Sequence, residues 1–119
     1  LTQQKHTILR LKITSSLKGC EKIEVITKEA CGLIGYPDLF LCVRGHFVGA
    51  EIKIPPDKLT PMQFYRLKRI ARAGGSIYIV KPDNWEWFVN RIKEIALVQH
   101  LKPQYIEPLL RRNLDQVRD

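Results

Sequence analysis

The stretch GYPDLFLCVRGHFVGAEIK, residues 35–53, decides how this chain is read. Leu39–Val43 and Phe47–Ile54 have the composition of paired strands, and Arg44-Gly45 suits the turn between them. With the turn centred there, residue 43 faces 46, residue 40 faces 49, and Asp38 faces Glu51. Two carboxylates directly opposite one another weaken a sheet. Burial worsens the conflict, because one of them must then keep its proton. Lys53 lies two residues beyond Glu51 and projects from the same face.

A bound divalent cation relieves that conflict. Asp38, Glu51 and the backbone carbonyl of Ile52, completed by waters, form an all-oxygen donor set suited to Mg2+. The Lys53 ammonium then stands close to an attacking water or a phosphate oxygen, an arrangement able to cut a phosphodiester. The plainer alternative is an exposed Glu51–Lys53 pair worth ~0–1 kcal/mol, with Asp38 merely ending a turn after Pro37.

Outward from the hairpin, Pro55-Pro56 stops the second strand. Residues 60–73 predict a helix that begins with a capping box. Thr60 is its N-cap, Pro61 takes the first helical position, Gln63 the third, and Leu59 with Phe64 forms a staple. Phe64, Leu67, Ile70 and Ala71 make the buried stripe, bordered by Gln63 and Arg66. Tyr65, Lys68, Arg69 and Arg72 face outward. Gly74-Gly75 closes the helix, and SIYIV (76–80) reads as a buried strand. Asp83, with Glu86 three residues on, predicts the N-cap of a helix over 84–99. Its Trp85, Trp87 and Phe88 read as core or subunit contact in preference to a base-stacking platform. Residues 108–117 suit one last short helix.

Upstream, residues 3–17 predict a helix with Ile8, Leu9, Ile13 and Leu17 on one side, and 22–27 predict a strand. The order is α-β-β-β-α-β-α, an α/β class with a small mixed sheet flanked by helices.

The 119 residues suit one domain, 1–119, with a motif-bearing core at 21–80 and C-terminal helices at 84–117. A hydrophobic content of 45% supports a real core, and no apolar run approaches the ~18 residues needed to span a bilayer. The three cysteines (Cys20, Cys31, Cys42) are widely spaced, as in a reduced cytoplasmic protein. His6, His46 and His100 are scattered and form no zinc-ligand pair. The net charge of +8 is unevenly spread: +4 over residues 1–20, −1 over 21–60 and +5 over 61–119. Basic ends of this kind draw polyanions, and nucleic acid is the commonest.

The ordered string Gly35, Pro37, Asp38, Gly45, Phe47, Glu51, Lys53, Lys58, Thr60, Pro61, Gln63, followed by ARAGGSIYIV (71–80), resembles the PD-(D/E)XK nuclease superfamily. It is most similar to the virus-type replication-repair nuclease branch (VRR-NUC), common in phages and prophages. The likeness covers residues 33–80. It implies a restriction-endonuclease-like core and a Mg2+- or Mn2+-dependent endonuclease acting on branched DNA such as Holliday junctions, often as a dimer. The setting would be the cytoplasm of a bacterium or a phage-infected host cell. Asp38 and Glu51 would be metal ligands, Lys53 the catalytic lysine, and Gln63 the helix glutamine near the site. Capping explains Gln63 equally well. Lys58, Arg66, Arg69 and Arg72 would hold the nucleic-acid backbone.

One position departs from the family pattern, which carries a glutamate on the first helix. No acid precedes Glu21, and Gln3 and Gln4 stand where that glutamate falls. Either it lies upstream of Leu1, or Glu21 or Glu24 substitutes, or the site is weakened. Glu24, on the first strand, is the first choice. A weakened site gives the second reading: a non-catalytic nucleic-acid-binding module on a degenerate nuclease fold.

Overall fold

A computed structural model describes residues 2–28 and 34–97. Along the described chain run α1 (Thr2–Leu17), β1 (Ile23–Thr27), β2 (Leu39–Val43), β3 (His46–Ile52), α2 (Pro61–Arg72), β4 (Ser76–Val80) and α3 (Trp85–Leu97). This is the expected α-β-β-β-α-β-α order. The anticipated helix at 108–117, Cys31 and His100 lie outside the described residues.

The strands form one mixed sheet in the order β1-β2-β3-β4. β1, β2 and β3 pair antiparallel, while β3 and β4 run parallel, joined through α2. The turn explains the central register. Arg44 (φ 51°) and Gly45 (φ 87°) both adopt positive φ, the signature of a type I′ hairpin turn. It sets Val43 opposite His46, Phe40 opposite Gly49 and Leu39 opposite Ala50, the register read from the sequence. β3 ends at Ile52, two residues before the expected boundary, although Ile54 stays buried.

Alternation along the strands divides the core in two. Leu39, Leu41, Val43, Val48, Ala50 and Ile52 face α1 and α3, and meet Leu9, Ile13, Leu17, Phe88, Ile92 and Ile95. On the other face, Ile77 packs with Leu67 and Ala71 of α2, supported by Leu59, Phe64 and Ile70. Ile8 departs from expectation, because it is half exposed. A neighbour in sequence is turned ~100° around a helix, so Ile8 shares the outer side with Leu11 while Leu9, Ile13 and Leu17 face the sheet.

The helix starts show local chemistry at work. At α2 the capping box forms: Thr60 Oγ1 accepts from the Gln63 N–H (3.1 Å), and Gln63 Oε1 accepts from the Thr60 N–H (2.9 Å). α3 corrects the Asp83 assignment. It begins at Trp85, and the Asn84 carbonyl accepts from the Phe88 N–H, so Asn84 holds the boundary position. Its side chain accepts from the Lys81 N–H (2.7 Å) and donates to the Ile79 carbonyl (3.2 Å), tying the helix start to the end of β4. Trp85 packs against the core, Phe88 is buried, and Trp87 is half exposed beside Tyr78.

Candidate active site

The carboxyl ends of the parallel pair β3 and β4 lie side by side, with Ile52 opposite Val80 and the Lys53 N–H donating to the Val80 carbonyl (2.9 Å). β2 begins at this same end of the sheet, and α2 starts nearby. In open α/β sheets, ligands bind at the carboxyl ends of the strands.

Asp38 and Glu51 come one step beyond the last hairpin pair, Leu39 and Ala50. They interlock. The Asp38 N–H donates to Glu51 Oε1 (3.2 Å), and the Ile52 N–H donates to Asp38 Oδ2 (2.8 Å). Each carboxylate thereby satisfies a backbone donor where the hairpin ladder runs out. Both are buried: Glu51 is 2% exposed and Asp38 8%. Gly35, at φ 79°, brings the chain into this corner, and a Cβ there would collide with the Met62 side chain at the start of α2.

Lys53 Nζ stands 3.6 Å from Glu51 Oε2. Lys28, just after β1, sets its Nζ 3.9 Å from Asp38 Oδ1. These two ammonium groups do not fully compensate the acids. Burial and the Asp38 charge push the Glu51 carboxyl from 4.5 up to about 8, a hydrogen bond with Asp38 adds to the rise, and Lys53 and Lys28 oppose it. At neutral pH one proton is therefore retained within the pair.

Gln63 reconciles two readings that had stood as alternatives. While its Oε1 completes the capping box, its Nε2 donates to Glu51 Oε2 at 2.7 Å. The single amide fixes the start of α2 and holds the Glu51 side chain.

His6 was missed at the sequence level. Its Nε2 lies 3.2 Å from Asp38 Oδ2, reaching the site from α1. The signal was available: position 6 continues the Leu9–Ile13–Leu17 stripe one turn toward the N-terminus, so it faces the sheet. Gln3 and Gln4, considered for this place, are exposed.

Glu24 does not join the site. It is exposed and pairs with Cys42, four residues up β1 from Lys28, whose N–H donates to the Asp38 carbonyl. Four residues of strand span ~13 Å, too far for a shared ion. Lys58 is exposed in the loop before α2. Arg66 lies one turn along α2 from Gln63 and stacks over Tyr36 (4.6 Å to the ring centroid) and Tyr65 (5.5 Å). Arg69 is exposed, lies over Tyr65 and donates to its hydroxyl (3.4 Å). Arg72, also exposed, ends α2, ~14 Å along the helix from Gln63.

The donor chemistry fits a hard divalent cation. Asp38 and Glu51 offer carboxylate oxygens. The Ile52 carbonyl points to the same side of β3 as its N–H, toward Asp38. Among the described residues no group of three or more His, Cys, Asp or Glu side chains is arranged to hold a metal. A carboxylate pair in place of an all-protein cage is how Mg2+ is usually bound, with waters and substrate oxygens completing the shell. No helix of the described residues is long and apolar enough to cross a membrane. Comparison with protein-family profiles, with curated proteins and with solved structures found no match to this chain.

Proposed function

We propose that this chain is a Mg2+- or Mn2+-dependent DNA endonuclease, selective for branched duplexes, that works as a single domain or a pair of copies in the cytoplasm of a bacterial or phage-infected cell. One observation carries the reading. A buried, interlocked carboxylate pair sits at the carboxyl end of parallel strands with a lysine 3.6 Å from one member. The outer face of α2 supports a polyanionic substrate, because the helix contains four basic residues and no acid. The choice of branched DNA rests on the resemblance in the 33–80 stretch and on the want of any groove-reading motif in the sequence.

In this reading Asp38, Glu51 and the Ile52 carbonyl hold the ion. The ion, when bound, supplies positive charge to the phosphoryl oxygen on which negative charge builds up. Gln63 holds Glu51 in position through its amide. Lys53, its Nζ beside the carboxylate, orients the attacking water and takes part in its proton transfer. Arg66 and Arg69 hold the phosphate backbone.

The test is cleavage of supercoiled and four-way-junction DNA with Mg2+, with Mn2+ and with chelator. The wild type should cut only with metal. Lys53→Ala should lower the rate by roughly 100-fold or more while leaving junction affinity within about threefold. A wild type that binds junctions and never cuts points to the second reading, a non-catalytic binding module. The lack of an acid on α1 favours that reading, since His6 reaches the place where the resemblance expects a glutamate. A protein that neither binds nor cuts refutes both.

A further inference from the structure

We propose that Ile34 and Met62 form an apolar wedge at the rim of the site, which sits on the base pair laid open at a DNA branch point and so places the cut beside the branch. This deepens the reading above and rests on DNA being the substrate.

Three large apolar side chains reach into water next to the buried carboxylates. Ile34 is 88% exposed, the most of any large hydrophobic side chain among the described residues, and Met62 and Tyr65 are each half exposed. They belong together. Gly35 packs so closely on the Met62 side chain that a Cβ would strike it, which sets the adjoining Ile34 beside Met62. Tyr65 lies three residues along α2 from Met62, on the same side of the helix. The rim is also close to the chemistry. Met62 precedes Gln63, whose amide holds Glu51, and Gly35 is three residues, at most ~10 Å, from Asp38.

Cations are interleaved with these groups. Arg66 follows Met62 by one turn and lies over the Tyr36 ring, and Arg69 follows Tyr65 by one turn and donates to its hydroxyl. Apolar and guanidinium groups thus alternate along one side of α2. A continuous duplex offers nothing to the apolar members, because its base faces are stacked and it presents phosphates and groove edges. At a branch, the pair next to the discontinuity shows one flat face. Ile and Met side chains suit such a face, as wedges at base steps do, and a tyrosine ring adds a stacking surface. Arg66 and Arg69 then meet the neighbouring phosphates. A reach of ~10 Å equals about three steps of ~3.4 Å along the duplex, so cuts should fall within about three nucleotides of the branch.

The experiment compares the wild type with the double variant Ile34→Thr, Met62→Gln, which keeps side-chain size and removes apolar surface, both checked for folding by circular dichroism. Affinities for a four-way junction and for a linear duplex of the same sequence are measured by fluorescence anisotropy with chelator present. Cut positions with Mg2+ or Mn2+ are mapped on gels. Met62 is the chain's one methionine, so a 13C-methyl label gives it a signal of its own. The wild type should prefer the junction. The double variant should lose about tenfold in junction affinity while its duplex affinity changes by less than about twofold. The Met62 methyl should shift upfield, under the ring current of a base, with the junction and not with the duplex. A wild type without that preference, a variant that retains it, a methyl signal that moves equally with both DNAs, or cuts scattered along the arms overturns the wedge, and metal-dependent cutting in the same samples leaves the nuclease reading standing. A variant whose only change is from dimer to monomer in sedimentation makes the rim a contact between copies and overturns the wedge as well. Junction preference lost in the variant, with no cutting by the wild type, keeps the wedge and ends the nuclease reading. A wild type that binds neither DNA overturns both.

Discussion

Removing the charge of Glu51 while keeping its shape, as Glu51→Gln, makes the internal conflict of the site measurable as stability. The folded chain holds the Glu51 proton up to about pH 8, whereas an ordinary glutamate releases it near 4.5. Between those values the native state binds a proton that the unfolded chain has lost, so stability falls as pH rises through the window. The contribution is whole below about pH 4.5 and gone above about pH 8. A gap of about 3.5 pH units is worth ~5 kcal/mol at 1.36 kcal/mol per unit, as a ceiling. Relaxation of the buried site around the charged carboxylate reduces this to ~2–4 kcal/mol. The Glu51→Gln variant, uncharged at every pH, would escape that loss. The oxygen of the substituted amide would still accept the Asp38 N–H, but its nitrogen would face Gln63 Nε2, two donors with no acceptor between them. One hydrogen bond is lost, at ~1–2 kcal/mol.

The two stability curves should therefore cross. In urea denaturation with chelator present, read by the tryptophan fluorescence of α3, the variant should be less stable than the wild type at pH 5 by ~1 kcal/mol and more stable at pH 9 by a similar amount or more. Saturating Mn2+ or Mg2+ should stabilise the wild type most at high pH and leave the variant unchanged. Parallel curves for the two proteins from pH 5 to pH 9 would refute the claim that Glu51 is held protonated by its surroundings.

Gln63 separates capping from site support. Gln63→Glu keeps the capping box but sets a third carboxylate against Glu51, so it should destabilise the metal-free chain at pH 8 and much less at pH 5, as followed by thermal melting. Gln63→Ala loses both bonds at every pH, ~1–2 kcal/mol by urea denaturation. Gly35→Ala meets both a left-handed backbone and the Met62 side chain, and should cost ~2 kcal/mol or more on the same assay and weaken metal uptake with it. Replacing Arg66 and Arg69 together with alanine should reduce the slope of log affinity for DNA against log salt by ~2, as measured by fluorescence anisotropy, with no preference among sequences.

What could be read from the sequence alone was set by short-range chemistry. A two-residue turn admitting positive φ at Arg44 and Gly45 determines the hairpin register, and the register alone brings Asp38 and Glu51 together. The capping box at Thr60–Gln63 starts α2 for equally local reasons. Beyond that reach the sequence misled or was silent. It put Ile8 on the inner side of α1 and turned to Glu24 for a third acid, and it passed over His6 and Lys28. Which side of a helix meets the sheet, and how far along it a given residue lies from a strand end, depends on packing between segments distant in sequence. His6 and Asp38 are 32 positions apart, and only the seating of Leu9, Ile13 and Leu17 on the sheet brings that imidazole to the carboxylate. Gln63 shows the same division: its capping bond follows from spacing, but its bond to Glu51 exists because α2 packs across the sheet face on which Glu51 stands.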